Sequence, residues 1–243
     1  MNTFNYSVYK RLINILKKDY DFTSFSKIKF SNEPVENKVL IRHDIDLSLK
    51  KALNMALIEN RLGITSTYFL FLRNPFYNIF SKDNASIVST LISLNHNIGL
   101  HFDCAKYVYN TISQLSYQVS REINFIQDFF GIKLDAVSFH RPSSLAFYSK
   151  LEISSCPHAY EPIFVKKFKY FSDSRGFWRY GYPLDSKEYK EKQNLHLLIH
   201  PIWWNNKNIL PKKCITDFKS SHIKDIDKHL FIELKNFWKT NQT

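Results

Sequence analysis

Lys38-Val39-Leu40-Ile41-Arg42-His43-Asp44-Ile45-Asp46 sets a short apolar run directly against two carboxylates, with a histidine beside them. Val39, Leu40 and Ile41 read as a strand buried on both faces, the pattern of a parallel sheet. In α/β folds the residues just beyond such a strand's C-terminal end line the ligand crevice. Packing gives no reason for two acids there. Like charges a few ångströms apart repel unless a cation or a shared proton offsets them, so the pair points to a divalent metal, with one carboxylate as ligand and the other as base. The competing reading is a solvated Asp-x-Asp turn that caps the next helix.

The same arrangement recurs along the chain. Thr67–Leu72 reads as a second strand and Asn97–Phe102 as a third, ending in His101 with Asp103 just beyond it. Ala136–Phe139 reads as a fourth strand, running into His140 and Arg141, and Leu195–Ile199 as another, followed by His200. Helices are predicted between them, from Asp46 or Ser48 to about Arg61, over Ser86–Leu94, and over Thr111–Phe130 with Gly131 as the stop. An amphipathic helix, Tyr6–Lys18, opens the chain as a lid or brace, and a final helix spans about Ile223–Trp238. Pro157, Pro162 and Pro183 break the pattern between Tyr148 and Tyr189 into shorter strands and loops. Alternating strands and helices predict an α/β fold with a mostly parallel sheet, and polar groups closing several strands at one end are what a divalent ion requires.

The 243 residues suit one α/β domain, and 44% hydrophobic content with only 5 glycines describes a packed globule. The net charge of +12 favours anionic partners, but the basic residues are spread along the chain without an aromatic-interleaved stripe, so no nucleic-acid partner is expected. Cys104, Cys156 and Cys214 show neither disulfide-framework nor zinc-knuckle spacing, which fits a reducing compartment. Met1–Phe22 lacks the unbroken apolar core of a signal peptide, and no segment approaches the roughly 18 apolar residues of a membrane span. The expectation is a cytoplasmic protein, able to dock peripherally on a membrane through its basic surface.

The ordered series Arg42-His43-Asp44-Ile45-Asp46, His96-Asn97-Ile98-Gly99-Leu100-His101-Phe102-Asp103, Phe139-His140-Arg141-Pro142-Ser143 and Leu197-Leu198-Ile199-His200-Pro201 resembles the motifs of the polysaccharide deacetylases. These form the NodB-homology group, carbohydrate esterase family 4, and the match is closest to members found with surface-polysaccharide biosynthesis. The resemblance implies a distorted (β/α) barrel spanning 1–243 as one domain, with a helical extension over 1–37, a catalytic core over 38–204 and a C-terminal helix over 205–243. It also implies removal of N- or O-acetyl groups from a sugar, nucleotide-linked, lipid-linked or on a growing glycan, with a divalent metal, commonly zinc.

By position, the resemblance makes Asp44 the base, Asp46 a metal ligand and His101 the first histidine of a His-x-x-x-His metal motif. Ala105 stands where the second histidine belongs. The third ligand is then His140, with Asp103 the alternative. Arg141 falls near the arginine that orients the base, and His200 matches the general acid. Asp173 and Trp178 resemble a fourth motif and are assigned to substrate together with Trp203 and Trp204, whose rings can stack on sugars. His43, His96, His158 and His196 are read as structural. The rival reading, prompted by Ala105, is a carbohydrate-binding or scaffold subunit of a glycan-assembly complex.

Overall fold

The computed structural model describes residues 4–32, 34–140, 151, 153 and 156–240, with the side chains of 236–240 outside the description. In chain order the elements are α1 (Tyr6–Leu16), β1 (Asp21–Thr23), α2 (Phe25–Phe30), β2 (Lys38–Asp44), α3 (Leu49–Arg61), β3 (Thr67–Leu70), α4 (Lys82–Ser93), β4 (Asn97–Asp103) and α5 (Ile112–Phe130). They continue with β5 (Val137–His140), α6 (Pro162–Lys166), β6 (Lys169–Ser172), α7 (Lys187–Lys190), β7 (Leu195–Ile199) and α8 (Pro211–Thr240). The sheet runs β5-β4-β3-β2-β7-β6, and every ladder in it is parallel. It forms a distorted (β/α) barrel, in which no described ladder joins the edge strands β5 and β6.

β2 holds the sheet together because it pairs three times. One side lies along β7 through Val39–His43; the other takes β1 against Lys38–Leu40 and then β3 against Arg42–Asp44. Two-residue alternation sorts the strands' side chains. Val39, Ile41, Leu195, Leu197 and Ile199 face outward onto Tyr9, Leu12, Ile13 and Leu16 of α1. Tyr68, Leu70, Ile98, Leu100 and Val137 pack beneath α3, α4 and α5. Leu40, Phe69 and Ala136 face the interior, where Phe25 and Ile28 of α2 and Phe164 of α6 close one end. α2 is fastened there by Asp135, whose carboxylate accepts from the Phe25 and Ser26 amides at 3.1 and 2.9 Å and from Thr67 Oγ1 at 2.7 Å.

The 1–37 segment is therefore not a purely helical extension: β1 adds a strand to the sheet and α2 enters the barrel. Three residues are too few to show a period, which hides β1 from sequence inspection. α8 is also longer than expected, beginning at Pro211, since proline suits the first helical turn. Elsewhere the caps match the pattern: Ser48 accepts from Lys51 N, Thr111 accepts from Gln114 N, and Gly131 closes α5 at a φ of 65°.

Gly99 of β4 lies where a neighbour needs the room of a side chain. A Cβ there would meet the Phe69 ring at 2.6 Å and the Ala136 carbonyl at 2.8 Å. Gly99→Ala is expected to destabilise the fold by about 1–3 kcal/mol, because the backbone contact cannot rotate away. Urea or thermal unfolding checks this; an unchanged midpoint would mean that Phe69 and β5 yield freely.

Candidate metal and catalytic site

The interior side of β2 carries Arg42 and Asp44, two residues apart and both buried. Arg42 grips the carboxylate with two parallel bonds, Nε to Oδ1 at 2.7 Å and Nη2 to Oδ2 at 2.8 Å. The guanidinium also sits over the rings of Phe69 and Tyr160, at 5.3 and 5.7 Å from their centroids. Burial alone would raise the Asp44 pKa, but Arg42, with His101 adding to it, holds this carboxyl well below the usual range.

Asp46 lies just past β2, in a turn tied down by Asn74 Nδ2 on its carbonyl (2.9 Å) and by the Tyr77 hydroxyl on the Ile45 carbonyl (2.6 Å). Its Oδ1 is 3.4 Å from His101 Nε2 and 3.7 Å from His140 Nδ1. That oxygen is buried and has no hydrogen-bond partner among the described residues. Asp46, His101 and His140 each offer one ligand atom, and these atoms lie within 4.8 Å of one another. Donors about 2.0–2.1 Å from one ion at tetrahedral angles stand roughly 3.3 Å apart, so the triad is of the size and chemistry that zinc takes. Burial opposes ionisation of Asp46, but the contact with His101 outweighs it and lowers its pKa.

His101 is turned toward this point from behind. Its Nδ1 lies 2.7 Å from Ser138 Oγ on the neighbouring strand β5, leaving Nε2 to face Asp46 and, at 3.5 Å, Asp44 Oδ2. The Phe71 ring packs edge-on against both imidazoles, at 4.4 Å from His101 and 5.1 Å from His140. On the far side His200 presents Nε2 at 3.8 Å from Asp46 Oδ2. Its Nδ1 is held at 2.7 Å by Asp173, whose carboxylate also accepts from the His200 amide and, at 2.8 Å, from Trp204 Nε1. Burial would lower the His200 pKa, but Asp173 overcomes it and raises the value to about 9.

The structure thus brings Asp44, Asp46, His101, His140 and His200 to one end of the barrel. Asp103 is not part of the cluster. Alternation would put it on His101's side of β4, but the chain is leaving the strand there, and the carboxylate turns back to accept from the Ala105 amide at 3.1 Å. Arg141 lies outside the described residues; the arginine on Asp44 is Arg42. The substrate assignments of Asp173, Trp178 and Trp204 are corrected. Asp173 is fully buried behind His200, while Trp178 and Trp204 pack against Phe4 beneath the N-terminal segment. Of the three tryptophans only Trp203 is half-exposed.

Arg42, Ser138 and the supporting role of Asp173 escaped sequence inspection. Only Arg42 had a local signal, the two-residue spacing to Asp44 along a strand. The outward-facing histidines are structural, as expected: His43 Nε2 lies 2.7 Å from Glu59, and His96 bridges the Ser66 amide and the Ala56 carbonyl.

No protein-family model and no curated protein matches the sequence. Solved structures do match. A Streptococcus pyogenes deacetylase in complex with acetate is 9% identical with a TM-score of 0.45, covering 86% of this chain and 85% of its own. A family 4 carbohydrate esterase from Bacillus anthracis is 14% identical with a TM-score of 0.41, covering 88% and 86%. The chain is similar in fold to these enzymes. A CE4 family pseudoenzyme from Bacillus anthracis is 8% identical with a TM-score of 0.40; the match covers 78% of this chain but only 63% of that one, less than two thirds of its length. The functional reading rests on the residues of the site.

Zinc titration separates the ligands. His140→Ala is expected to weaken zinc binding by at least roughly 100-fold, since even partners behind a ligand cost about 10–100-fold, whereas Ser138→Ala should fall within that smaller range. Asp103→Asn should bind like the parent; if it empties the site while His140→Ala retains zinc, the triad is wrongly drawn.

Proposed function

We propose that this protein is a metal-dependent carbohydrate deacetylase, hydrolysing an N-acetyl or O-acetyl group of a sugar in surface-polysaccharide biosynthesis. The observation that carries this reading is the placement of a carboxylate clamped by arginine and an imidazole clamped by a buried carboxylate on either side of one point. Arg42 on Asp44 favours its ionised form, and Asp173 on His200 favours the protonated imidazole, on either side of the Asp46–His101–His140 triad. A binding or scaffold subunit has no use for a buried imidazolium aimed at a cation site, which favours an enzyme over that alternative.

A divalent cation held by Asp46, His101 and His140, zinc being the best match to the donors, would supply a Lewis acid for the acyl carbonyl and acidify water. Asp44 accepts the proton of the attacking water; both its oxygens are oriented by Arg42, and Oδ2 faces the same point as His101 Nε2. His200, with Nδ1 anchored on Asp173, donates from Nε2 to the departing amine or alkoxide. Ser138 and Phe71 keep the imidazoles in place. The substrate is an acetylated sugar, carried on a nucleotide, a lipid or a growing glycan, and the reaction belongs in the cytoplasm.

An acetate-release screen over acetylated nucleotide sugars and lipid-linked sugars, with zinc-loaded protein, tests the activity. Asp44→Asn is expected to lower kcat by about 10²–10⁴-fold with zinc content unchanged, because the base acts only in the reaction. Equal zinc loss in Asp44→Asn and Asp46→Asn would show that the two carboxylates share one role.

The pH profile tests the acid. His200 is charged below its raised value of about 9, so the rate should hold through neutral pH and fall as pH rises through about 9. Asp173→Asn removes the compensating charge and should move that alkaline limb down toward about 6.5, the ordinary histidine value, with kcat falling more than KM changes. An alkaline limb that stays put in Asp173→Asn would assign the acid to another group.

A further inference from the structure

A groove of about 490 Å³ opens between the start of α3, the 76–84 segment that leads into α4, and the first half of α8. It is built on the same loop as the catalytic site. Asn74 holds both: its Nδ2 donates to the Asp46 carbonyl at 2.9 Å, and its Oδ1 accepts from the Phe76 amide at 2.6 Å. Tyr77 of the lining bonds to the Ile45 carbonyl, and Leu47 and Ser48, also of the lining, directly follow Asp46. The groove joins aromatic rings to unspent polar groups. Phe76, 41% exposed, meets the Phe218 ring edge-on at 5.7 Å, and Phe218 stacks on His222 at 5.6 Å. Asn78 and Asn84 each commit one amide atom, Asn78 Oδ1 to the Phe80 amide and Asn84 Nδ2 to the Asn78 carbonyl, both at 3.0 Å. A donor on Asn78 and an acceptor on Asn84 remain, with the carboxylate of Asp83 beside them in the lining.

We infer that this groove holds a chain of N-acetylated sugars continuing from the residue in the site, so that the substrate is a glycan chain rather than a nucleotide sugar and α8 is a substrate-binding element. The inference rests on the deacetylase reading for the sugar at the metal. Continuity names the occupant as the remainder of the substrate, because the loop that fixes Asp46 is also a wall of the groove, and a carrier extending over that loop enters it. The lining then selects among carriers. A sugar offers an apolar CH face to a ring and hydroxyls that both donate and accept, which Phe76 beside Asn78, Asp83 and Asn84 can use together. The phosphates of a nucleotide need cations that are free of acids. Here Lys50 is spent on Asp225 at 2.7 Å, and Lys82 shares the groove with Asp83. A lipid carrier needs an unbroken apolar track, which Ser48, Asn78, Ser81, Asn84 and Ser221 interrupt. The volume lies within the range of about 300–1,000 Å³ that encloses a specific ligand.

Calorimetry on zinc-loaded Asp44→Asn protein, in which turnover is suppressed, tests it with tetra-N-acetylchitotetraose, N-acetylglucosamine and UDP-N-acetylglucosamine as probes. The tetrasaccharide should bind at least about tenfold more tightly than the monosaccharide. Adding Phe76→Ala should weaken the tetrasaccharide by about tenfold, the upper end of what one aromatic face contributes. Adding Ser221→Trp, which fills the groove from an exposed position, should bring the tetrasaccharide down to the affinity of the monosaccharide. An unchanged thermal midpoint and unchanged zinc content verify that both variants stay folded. A tetrasaccharide that does not bind, that binds no more tightly than the monosaccharide, or that binds both groove variants like the parent overturns the inference. Tighter binding of UDP-N-acetylglucosamine that Lys82→Glu/Lys228→Glu removes also overturns it and gives the groove to a nucleotide. Failure of the deacetylase reading looks different: the zinc-loaded parent then releases no acetate from any probe, while the two groove variants still decide where the tetrasaccharide sits.

Discussion

Arg42 and Asp44 stand two residues apart on the central strand, with 3 and 4% of their side chains exposed, joined by two short bonds. Taking both charges out of water costs several kcal/mol per ion, and the attraction between them roughly cancels that cost, so the pair adds little net stability. Its consequence is positional. Both oxygens of Asp44 are committed to a guanidinium that is itself held by the faces of Phe69 and Tyr160. The carboxylate cannot swing, and at rest it stays ionised near neutral pH. The oxygen left without a partner in the cluster belongs to Asp46, one turn further on. Two acids that look alike in sequence thereby become different groups, one fixed and ionised, the other open to a cation.

Another buried carboxylate lies behind β2, on its opposite side, against His43. Glu59 of α3 lies between the imidazole of His43 and the hydroxyls of Tyr9, Ser66 and Tyr68, which places its pKa near 2 although burial alone would raise it. This network ties α1, α3, β2 and β3 together through polar contacts, where their remaining contacts are apolar. Through His43 it shares β2 with Asp44, whose position is braced from behind by a helix that contributes nothing to the site itself. α1 is thus a brace in the literal sense, and Trp178 and Trp204 belong to the same packing.

The residues legible in sequence were those whose meaning is local. A strand that ends in Asp44, His101, His140 or His200 announces itself by an apolar run meeting a polar group, and parallel connectivity then brings those ends together. What could not be read were contacts that tertiary packing makes. Asp173 follows β6, a strand too short and too polar to stand out, and its partner His200 is 27 residues away. Ser138 is an ordinary buried serine until β5 aligns with β4 and sets it opposite His101. Trp178 and Trp204 are core rings that sequence inspection places at the rim, because a sequence does not distinguish a ring at a rim from a ring in a core. Trp204 packs against Tyr9 of α1, a contact no local pattern encodes.

Charge explains why His140 suits the third donor position better than Asp103. Arg42 with Asp44 is neutral as a pair, and so is His200 with Asp173 once the imidazole is protonated. Asp46 is then the one uncompensated charge in the cluster, and His101 and His140 add donors without adding charge. A divalent cation on these three side chains keeps a net positive charge, which is what polarises a carbonyl. Asp103 as third ligand would have cancelled it and placed another anion near Asp44. Residual positive charge would in turn tend to expel the proton of His200, whose Nε2 lies 3.8 Å from Asp46 Oδ2. The fully buried Asp173, bonded to Nδ1 and shielded from solvent by Trp204, opposes that tendency where water could not. The neutral donors that would leave the cation strong and the buried carboxylate that keeps the acid protonated therefore lie on opposite sides of His200.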